Sequence, residues 1–225
     1  MTQALPVLYE DNHLIVVNKS SGALVQGDRT GDETLSDQVK AYIKRKYKKP
    51  GDVFLGVVHR LDRPVSGAVL FGRTSKGLER MTAQFRDREV KKTYWAIVKD
   101  QPSQTAGELT HWLKKDREAN RTKAFNKEGK GTHKATLHYK LISRVANYYL
   151  LEVKPLTGRP HQIRVQLSKI GCAILGDVKY GGTKQLDRQR IYLHARSLEF
   201  LHPVKKEPVR IDAGIPKDQI WQLFN

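Results

Sequence analysis

His59-Arg60-Leu61-Asp62-Arg63-Pro64-Val65-Ser66-Gly67 separates two short apolar runs, residues 53–58 and 68–71. Runs of this length, rich in Val and bounded by Pro and Gly, read as strands, so the nine residues between them form a loop. Pro64 pushes Arg63 out of helical geometry, and Gly67 permits a tight turn or a positive φ. One carboxylate, Asp62, is thereby held on a short loop between Arg60 and Arg63. A carboxylate among cations stays ionised. An Asp in such a loop is most often a turn former bonding its own backbone. The flanking arginines make this one a candidate for chemistry on a polyanion.

Strand signals recur on both sides of this loop, at residues 7–9, 13–17, 93–98, 108–113, 136–143, 148–154, 191–200 and 209–213. Helices are fewer. Thr34 opens the first, with Asp37 completing a capping box, and Leu35, Val39, Tyr42, Ile43 and Tyr47 follow at helical spacing. Lys40, Lys44, Lys46 and Lys48 occupy its other face, which is either simply solvated or tracks a phosphate backbone. Ser75 caps a second helix carrying Leu78, Met81 and Phe85 on one stripe. Pro160 suits the first turn of a third and Gly171 its stop. A fourth runs from about 216 to 223. Strands outnumber helices without alternating regularly with them, which argues for an α+β fold with a mixed, mostly antiparallel sheet flanked by a few helices and loops. Residues 114–134, rich in charge, Gly and Asn, form either a mobile hairpin or a loop ordered by a ligand. With no repeat and no clear linker, residues 1–225 are expected to form a single domain.

Lys and Arg total 41 against 23 Asp and Glu, a formal net charge of +18 over 225 residues. Such an excess favours a phosphate-bearing partner, because each cation that meets a phosphate releases a condensed counterion. Cys172 is the lone cysteine. It excludes an intramolecular disulfide and cysteine-rich zinc motifs, and reads as a small buried hydrophobe. No apolar run approaches the roughly 20 residues of a membrane helix, and no secretory signal is evident. The expectation is a soluble, cytoplasmic monomer with no protein partner implied.

Two more segments carry polar side chains in informative settings. The first is Thr157-Gly158-Arg159-Pro160-His161-Gln162-Ile163-Arg164-Val165-Gln166-Leu167. If it is helical from Pro160, Ile163, Leu167 and Ile170 form a buried stripe, and His161, Arg164 and Ser168 share another face. Arg164 is then either an ordinary solvated residue or a partner for Asp62 through charge-assisted hydrogen bonds; spacing does not decide. His161 is either a ligand or a hydrogen-bonded structural histidine. The second segment, Lys91-Lys92-Thr93-Tyr94-Trp95-Ala96-Ile97-Val98, reads as a strand. Its Tyr94 is either core, with its hydroxyl on a partner, or a stacking surface for an extruded base.

These three pieces, in this order, resemble the RluA family of RNA pseudouridine synthases. Residues 9–19, Gly176-Asp177, Lys179-Tyr180-Gly181, Leu193-His194-Ala195 and Phe200-Leu201-His202-Pro203 are similar to further signatures of that family. The resemblance implies the pseudouridine synthase fold, with an active-site cleft across the sheet, and isomerisation of uridines in ribosomal or transfer RNA without cofactor or metal. It carries the essential aspartate onto Asp62, the active-site tyrosine onto Tyr94, and the arginine that pairs with the aspartate onto Arg164. Arg60 takes the position that enters the RNA stack as the base leaves, and His59, Arg63, Arg159 and His161 are further RNA-contacting candidates. Val65 stands where Thr is common, Ser20-Ser21-Gly22 replaces a Pro-containing turn, and Pro160 replaces a common Thr; none removes a proposed catalytic group. The S4 domain that precedes many relatives is not expected, since strand signals begin almost at residue 1. Two other classes remain at this stage, a hydrolytic N-glycosidase on RNA and a non-catalytic RNA-binding protein. Glycoside hydrolysis commonly uses two carboxylates, and the Asp62 loop offers one.

Overall fold

The computed structural model describes residues 5–27, 31–185 and 190–225. Its elements in chain order are β1 (Val7–Glu10), β2 (Leu14–Lys19), α1 (Leu35–Lys46), β3 (Gly56–Val57), β4 (Ser66–Gly72), α2 (Ser75–Arg86), β5 (Lys91–Val98), β6 (Ala106–Asp116), β7 (Arg121–Phe125), β8 (His133–Val145), β9 (Tyr148–Pro155), α3 (Gln162–Lys169), a 3-10 turn at Val178–Tyr180, β10 (Leu193–Leu201), β11 (Pro208–Asp212) and α4 (Gln219–Gln222). The class is α+β, with mostly antiparallel strands and few helices. No helix among the described residues is long and apolar enough to cross a membrane. The chain divides into two compact units, residues 1–91 with 195–214 and residues 92–194 with 215–225.

In the first unit β2 pairs antiparallel with both β1 and β4, and the β2–β4 ladder runs from Leu14↔Gly72 to Lys19↔Gly67. Every residue of β4 is buried, as expected for a strand covered on both faces. Leu14, Val16, Ala68 and Leu70 pack with Met81 of α2 and with Leu198, Phe200 and Ile211 of the β10–β11 hairpin. Gly67 has φ +116°, and a Cβ there would lie 2.4 Å from both the N and the O of Ala195. Glycine is therefore required on two counts, strain and close approach. The capping box of Thr34 and Asp37 forms as read. The cap of α2 is Thr74 rather than Ser75, its hydroxyl accepting from the Gly77 N–H. Lys40, Lys44 and Lys46 are exposed as read, and Lys48 lies beyond the helix end; Lys46 also donates to Glu10 at 2.6 Å, and Tyr42 and Tyr47 donate to the same carboxylate.

The turn between β1 and β2 is built on Asp11. Its Oδ1 accepts from the His13 and Leu14 N–H groups, and its Oδ2 from the Tyr9 hydroxyl and from His202 Nε2 at 2.6 Å. His202 Nδ1 accepts from the Val204 and Lys205 N–H groups, which places the ring proton on Nε2.

The second unit orders its strands β5-β9-β8-β6-β7, antiparallel throughout. Val165 of α3 and Tyr180 pack on Leu113 and Ala135 of its sheet. β7 lies inside the stretch at 114–134 read as either a hairpin or a loop, and it pairs with the end of β6 as the hairpin. Its inward residues are Thr122 and Ala124, whereas Arg121, Lys123 and Phe125 are exposed or outward, so its alternation is masked by charge. α3 begins at Gln162, two residues after the expected Pro160 start, with His161 left-handed at φ +54°. The Gln162 side chain explains this. Its Oε1 accepts from the Thr157 hydroxyl and the Arg159 N–H, and its Nε2 donates to the Thr136 carbonyl, which ties residues 157–162 into a turn. α4 is shorter than the 216–223 reading because Asp218 caps it, accepting from the Ile220 and Trp221 N–H groups. Gly171 follows α3 at φ +81°, and Cys172 is buried, both as expected.

Burial pushes the Asp11 carboxyl up, but the hydrogen bonds from His13, Leu14, Tyr9 and His202 outweigh it and hold it below the usual carboxylate range. A carboxylate depressed on folding stabilises above its unfolded range, and that contribution is lost as pH falls through the folded value. Asp11→Asn should lower stability by about 1–3 kcal/mol at pH 7, with the deficit shrinking towards pH 3. Urea midpoints at the two pH values test this; an equal deficit at both would refute it.

Candidate active site

The Asp62 loop is anchored by its apolar residues. Leu61 and Val65 are buried, Asp62 is half-buried, and Arg60 and Arg63 are exposed. The Val65 N–H donates to the Asp62 carbonyl and closes a turn across Pro64. Arg63 is tied back to the segment after β2: its carbonyl accepts from the Gly22 N–H at 2.8 Å and from Lys19 Nζ at 3.0 Å. Its Nε donates to the Gly22 carbonyl and its guanidinium pairs with Asp32 at 2.9 Å. At the start of the loop, His59 Nε2 accepts from the Leu70 N–H, and the ring stacks on Phe85 with centroids 4.6 Å apart. Two residues read as RNA contacts, His59 and Arg63, therefore also hold the loop. Arg60 points into solvent.

In the second unit Tyr94 lies on β5 opposite Val153 of β9 and is half-buried. Arg164 is not a solvated helix residue. It is 6% exposed, and its Nε and Nη2 meet the two oxygens of Asp177 at 2.7 and 2.9 Å. Its guanidinium also lies 5.1 Å from the centre of the Tyr180 ring. The Tyr180 hydroxyl accepts from the Thr122 N–H and lies 2.7 Å from His161 Nδ1. Burial raises the Tyr180 pKa, so the hydroxyl keeps its proton. His161 is thus hydrogen-bonded in place, and Arg159 is exposed.

The orientation of Arg164 is set by Asp177 and Tyr180, which the sequence reading flagged only as signature residues without a role. Asp177 lies 13 residues beyond Arg164, a spacing without helical or strand meaning. Lys19 was flagged only within a signature segment and without a role, because it closes a strand that opens with four apolar residues, Leu14 to Val17. Chemically, the first unit offers a carboxylate on a pinned loop within a basic sequence. The second offers a guanidinium with two of its donors already committed, so that the plane of the fork is preset.

A family profile described as RNA pseudouridylate synthase matches residues 13–169. The chain is 35% identical over 224 residues to the ribosomal large subunit pseudouridine synthase D of Zymomonas mobilis, covering 95% of this chain and 70% of that protein. It is 31% identical over 243 residues to the tRNA pseudouridine synthase C of Vibrio cholerae, covering 97% and 93%. The solved structure of human RNA Pseudouridylate Synthase Domain Containing 4 matches with a TM-score of 0.79 at 25% identity, covering 94% of this chain and 89% of that one. The chain spans 64–70% of the length of the ribosomal relatives that head the comparison.

Removing one partner of a buried ion pair strands the other charge, at a cost of about 3–5 kcal/mol. Asp177→Ala should destabilise the protein by that order, read from denaturant midpoints. A loss below about 1 kcal/mol, the range of an exposed pair, would show that the Arg164–Asp177 bond does not hold the helix.

Proposed function

We propose, from the premise that this chain belongs to the RNA pseudouridylate synthase family, that it isomerises specific uridines in ribosomal or transfer RNA to pseudouridine. The observation that carries this reading is the family match over residues 13–169, which spans the Asp62 loop, the Tyr94 strand and the Arg164 helix. The net charge of +18 supports an RNA partner. On this reading residues 1–225 act as one catalytic domain, as a cytoplasmic monomer.

The reaction breaks the bond between base and sugar, turns the base over and forms a carbon–carbon bond at C5. It conserves atoms and involves no net redox change. Asp62 supplies the carboxylate, either by adding covalently to the substrate or by removing a sugar proton to give a glycal. Arg164, its plane set by Asp177, is assigned as the partner that keeps Asp62 charged and aimed. Tyr94 lies against the uracil. A phenol with a reference pKa of about 10 is a reluctant base at neutral pH, so its contribution is contact with the base before any proton transfer. The target uridine must leave its stack, which costs a few kcal/mol and least in a loop; exposed Arg60 fills the gap. Arg159 reaches backbone phosphate, while His59, Arg63 and His161 line the RNA path and brace the elements that carry the reacting groups.

Asp62→Asn should abolish pseudouridine formation, by at least about a thousandfold in kcat, with RNA affinity within about threefold of wild type. Pseudouridine mapping of total RNA from cells with and without the protein names the site. Retained activity in Asp62→Asn would overturn the reading, and release of free uracil by the wild type would replace it with a glycosidase.

A further inference from the structure

Residues 38–51 hold six cations and no carboxylate. They cover most of α1 and the turn that follows it. One of the six, Lys46, is engaged by Glu10, which also accepts from the Tyr42 and Tyr47 hydroxyls and lies 3.1 Å from Arg73. That hub fastens the end of α1 to β1 and to the residue after β4. Lys44, Arg45, Lys48 and Lys49 are exposed, and among the described residues no carboxylate forms an ion pair with them. Stability does not account for the run. Like charges four residues apart on a helix repel, as Lys40 and Lys44 stand. The helix dipole favours cations in the last turn, where Lys44, Arg45 and Lys46 already lie. Lys48 sits past that turn in left-handed backbone, at φ +48°. The Lys49 N–H donates to the Lys44 carbonyl and the Lys48 N–H to the Arg45 carbonyl, so α1 closes in the motif that ordinarily places glycine at this position. A β-carbon there is strained. Glycine would serve the fold better, and what lysine adds is a charge.

We propose that the C-terminal end of α1, with Lys44, Arg45, Lys48 and Lys49, is a docking surface for the sugar–phosphate backbone of the RNA substrate, away from the reacting uridine. The inference rests on the reading of this chain as an enzyme acting on RNA. Charge complementarity selects the partner, since each cation that meets a phosphate releases a condensed counterion. A lipid surface does not fit: Leu35, Val39 and Ile43, the apolar stripe of α1, are buried, so no apolar face is left to enter a bilayer.

The fold separates this surface from the chemistry. At the start of α1 the Leu35 and Ser36 N–H groups donate to the carbonyls of Leu24 and Val25, close in sequence to Gly22, which holds the Arg63 carbonyl. The helix then runs for 12 residues, about 18 Å. Its far end meets Glu10, which pairs with Ile15, and Glu10 in turn meets Arg73. The Asp62 loop enters β4 at the Lys19–Gly67 end of the β2–β4 ladder, whereas Glu10 and Arg73 lie at the Leu14–Gly72 end. α1 thus spans the ladder from one end to the other. Its cations meet RNA that flanks the target nucleotide, so they act on affinity and leave the isomerisation step alone.

The test measures binding of a fluorescein-labelled RNA hairpin of about 20 base pairs and arbitrary sequence, by anisotropy over a range of KCl concentrations. A variant combining Lys44→Gln, Arg45→Gln and Lys49→Gln should bind about tenfold more weakly at about 0.1 M KCl, with the slope of log K against log salt reduced in magnitude by at least about 1. On the RNA that pseudouridine mapping identifies, its KM should rise at least about fivefold with kcat within about twofold of wild type. Lys48→Gly should raise Tm by about 1–3 °C, as backbone strain is relieved, and still weaken hairpin binding about two- to threefold. Arg88 is the matched control. It holds the same left-handed position at the end of α2, at φ +63°, but stands between Asp87 and Glu89 rather than in a run of cations. Arg88→Gly removes the same charge and should leave hairpin affinity within about 1.3-fold of wild type. Wild-type affinity and salt slope in the triple variant, wild-type binding by Lys48→Gly, or an equal loss in Arg88→Gly would each overturn the proposal. So would displacement of the hairpin by poly-L-glutamate as effectively, charge for charge, as by poly(U), which would assign the surface to an acidic polypeptide. Hairpin binding uses no turnover, so failure here is distinct from failure of the enzyme reading, which the activity of Asp62→Asn reports.

Discussion

The antiparallel ladder between β2 and β4, from Leu14↔Gly72 to Lys19↔Gly67, is the constraint on which the first unit depends. It buries β4 completely and fixes where that strand begins. The point at which the chain leaves the ladder is therefore also the end of the Asp62 loop. Gly67 marks the place: its left-handed φ and the nearby Ala195 backbone exclude any side chain. A loop tethered to a strand with no freedom to shift is a rigid mount for a carboxylate, and rigidity is what a positioned catalytic group requires.

The second unit solves a similar problem with polar contacts rather than a ladder. α3 is a short helix of eight residues, marginal in isolation. Its placement is determined by side chains. Gln162 ties its start to the Thr136 backbone, and Gln166 donates to the carbonyls of Leu109 and Ala135. Arg164 is clamped between the Asp177 carboxylate and the Tyr180 ring. Buried polar groups stabilise only when their partners are in place, so these contacts favour one placement of the helix. Tyr180 serves three neighbours at once, Arg164 through its face and Thr122 and His161 through its hydroxyl.

Most strands were legible because a half-buried strand writes its burial into alternating residues. The helix caps at Thr34 and Asp37 were legible because capping is a contact between near neighbours in sequence. β7 was legible only as one arm of a hairpin left open beside a loop, since two small inward residues, Thr122 and Ala124, carry a weak signal among lysines and arginines. The start of α3 was misplaced at Pro160 for a different reason. Proline suits a first helical turn, but Gln162 has long-range partners that outbid this local preference. On the basic face expected on α1, Lys46 is engaged by Glu10, a residue 36 positions earlier.

Read alone, the sequence determined the α+β class, placed Asp62 on a loop between strands, and pointed to a polyanionic partner and to a family. The first three rest on local periodicity, turn chemistry or total charge, and the family on resemblance of sequence motifs, all of which survive in an unfolded chain. Only the tertiary structure decided which charges meet. It set Arg164 against Asp177 and brought the buried ammonium of Lys19 to the Asp62 loop, 44 positions further along the chain. Coulomb and hydrogen-bond energies depend on distance through space and on exclusion of water, and neither exists until the strands have paired.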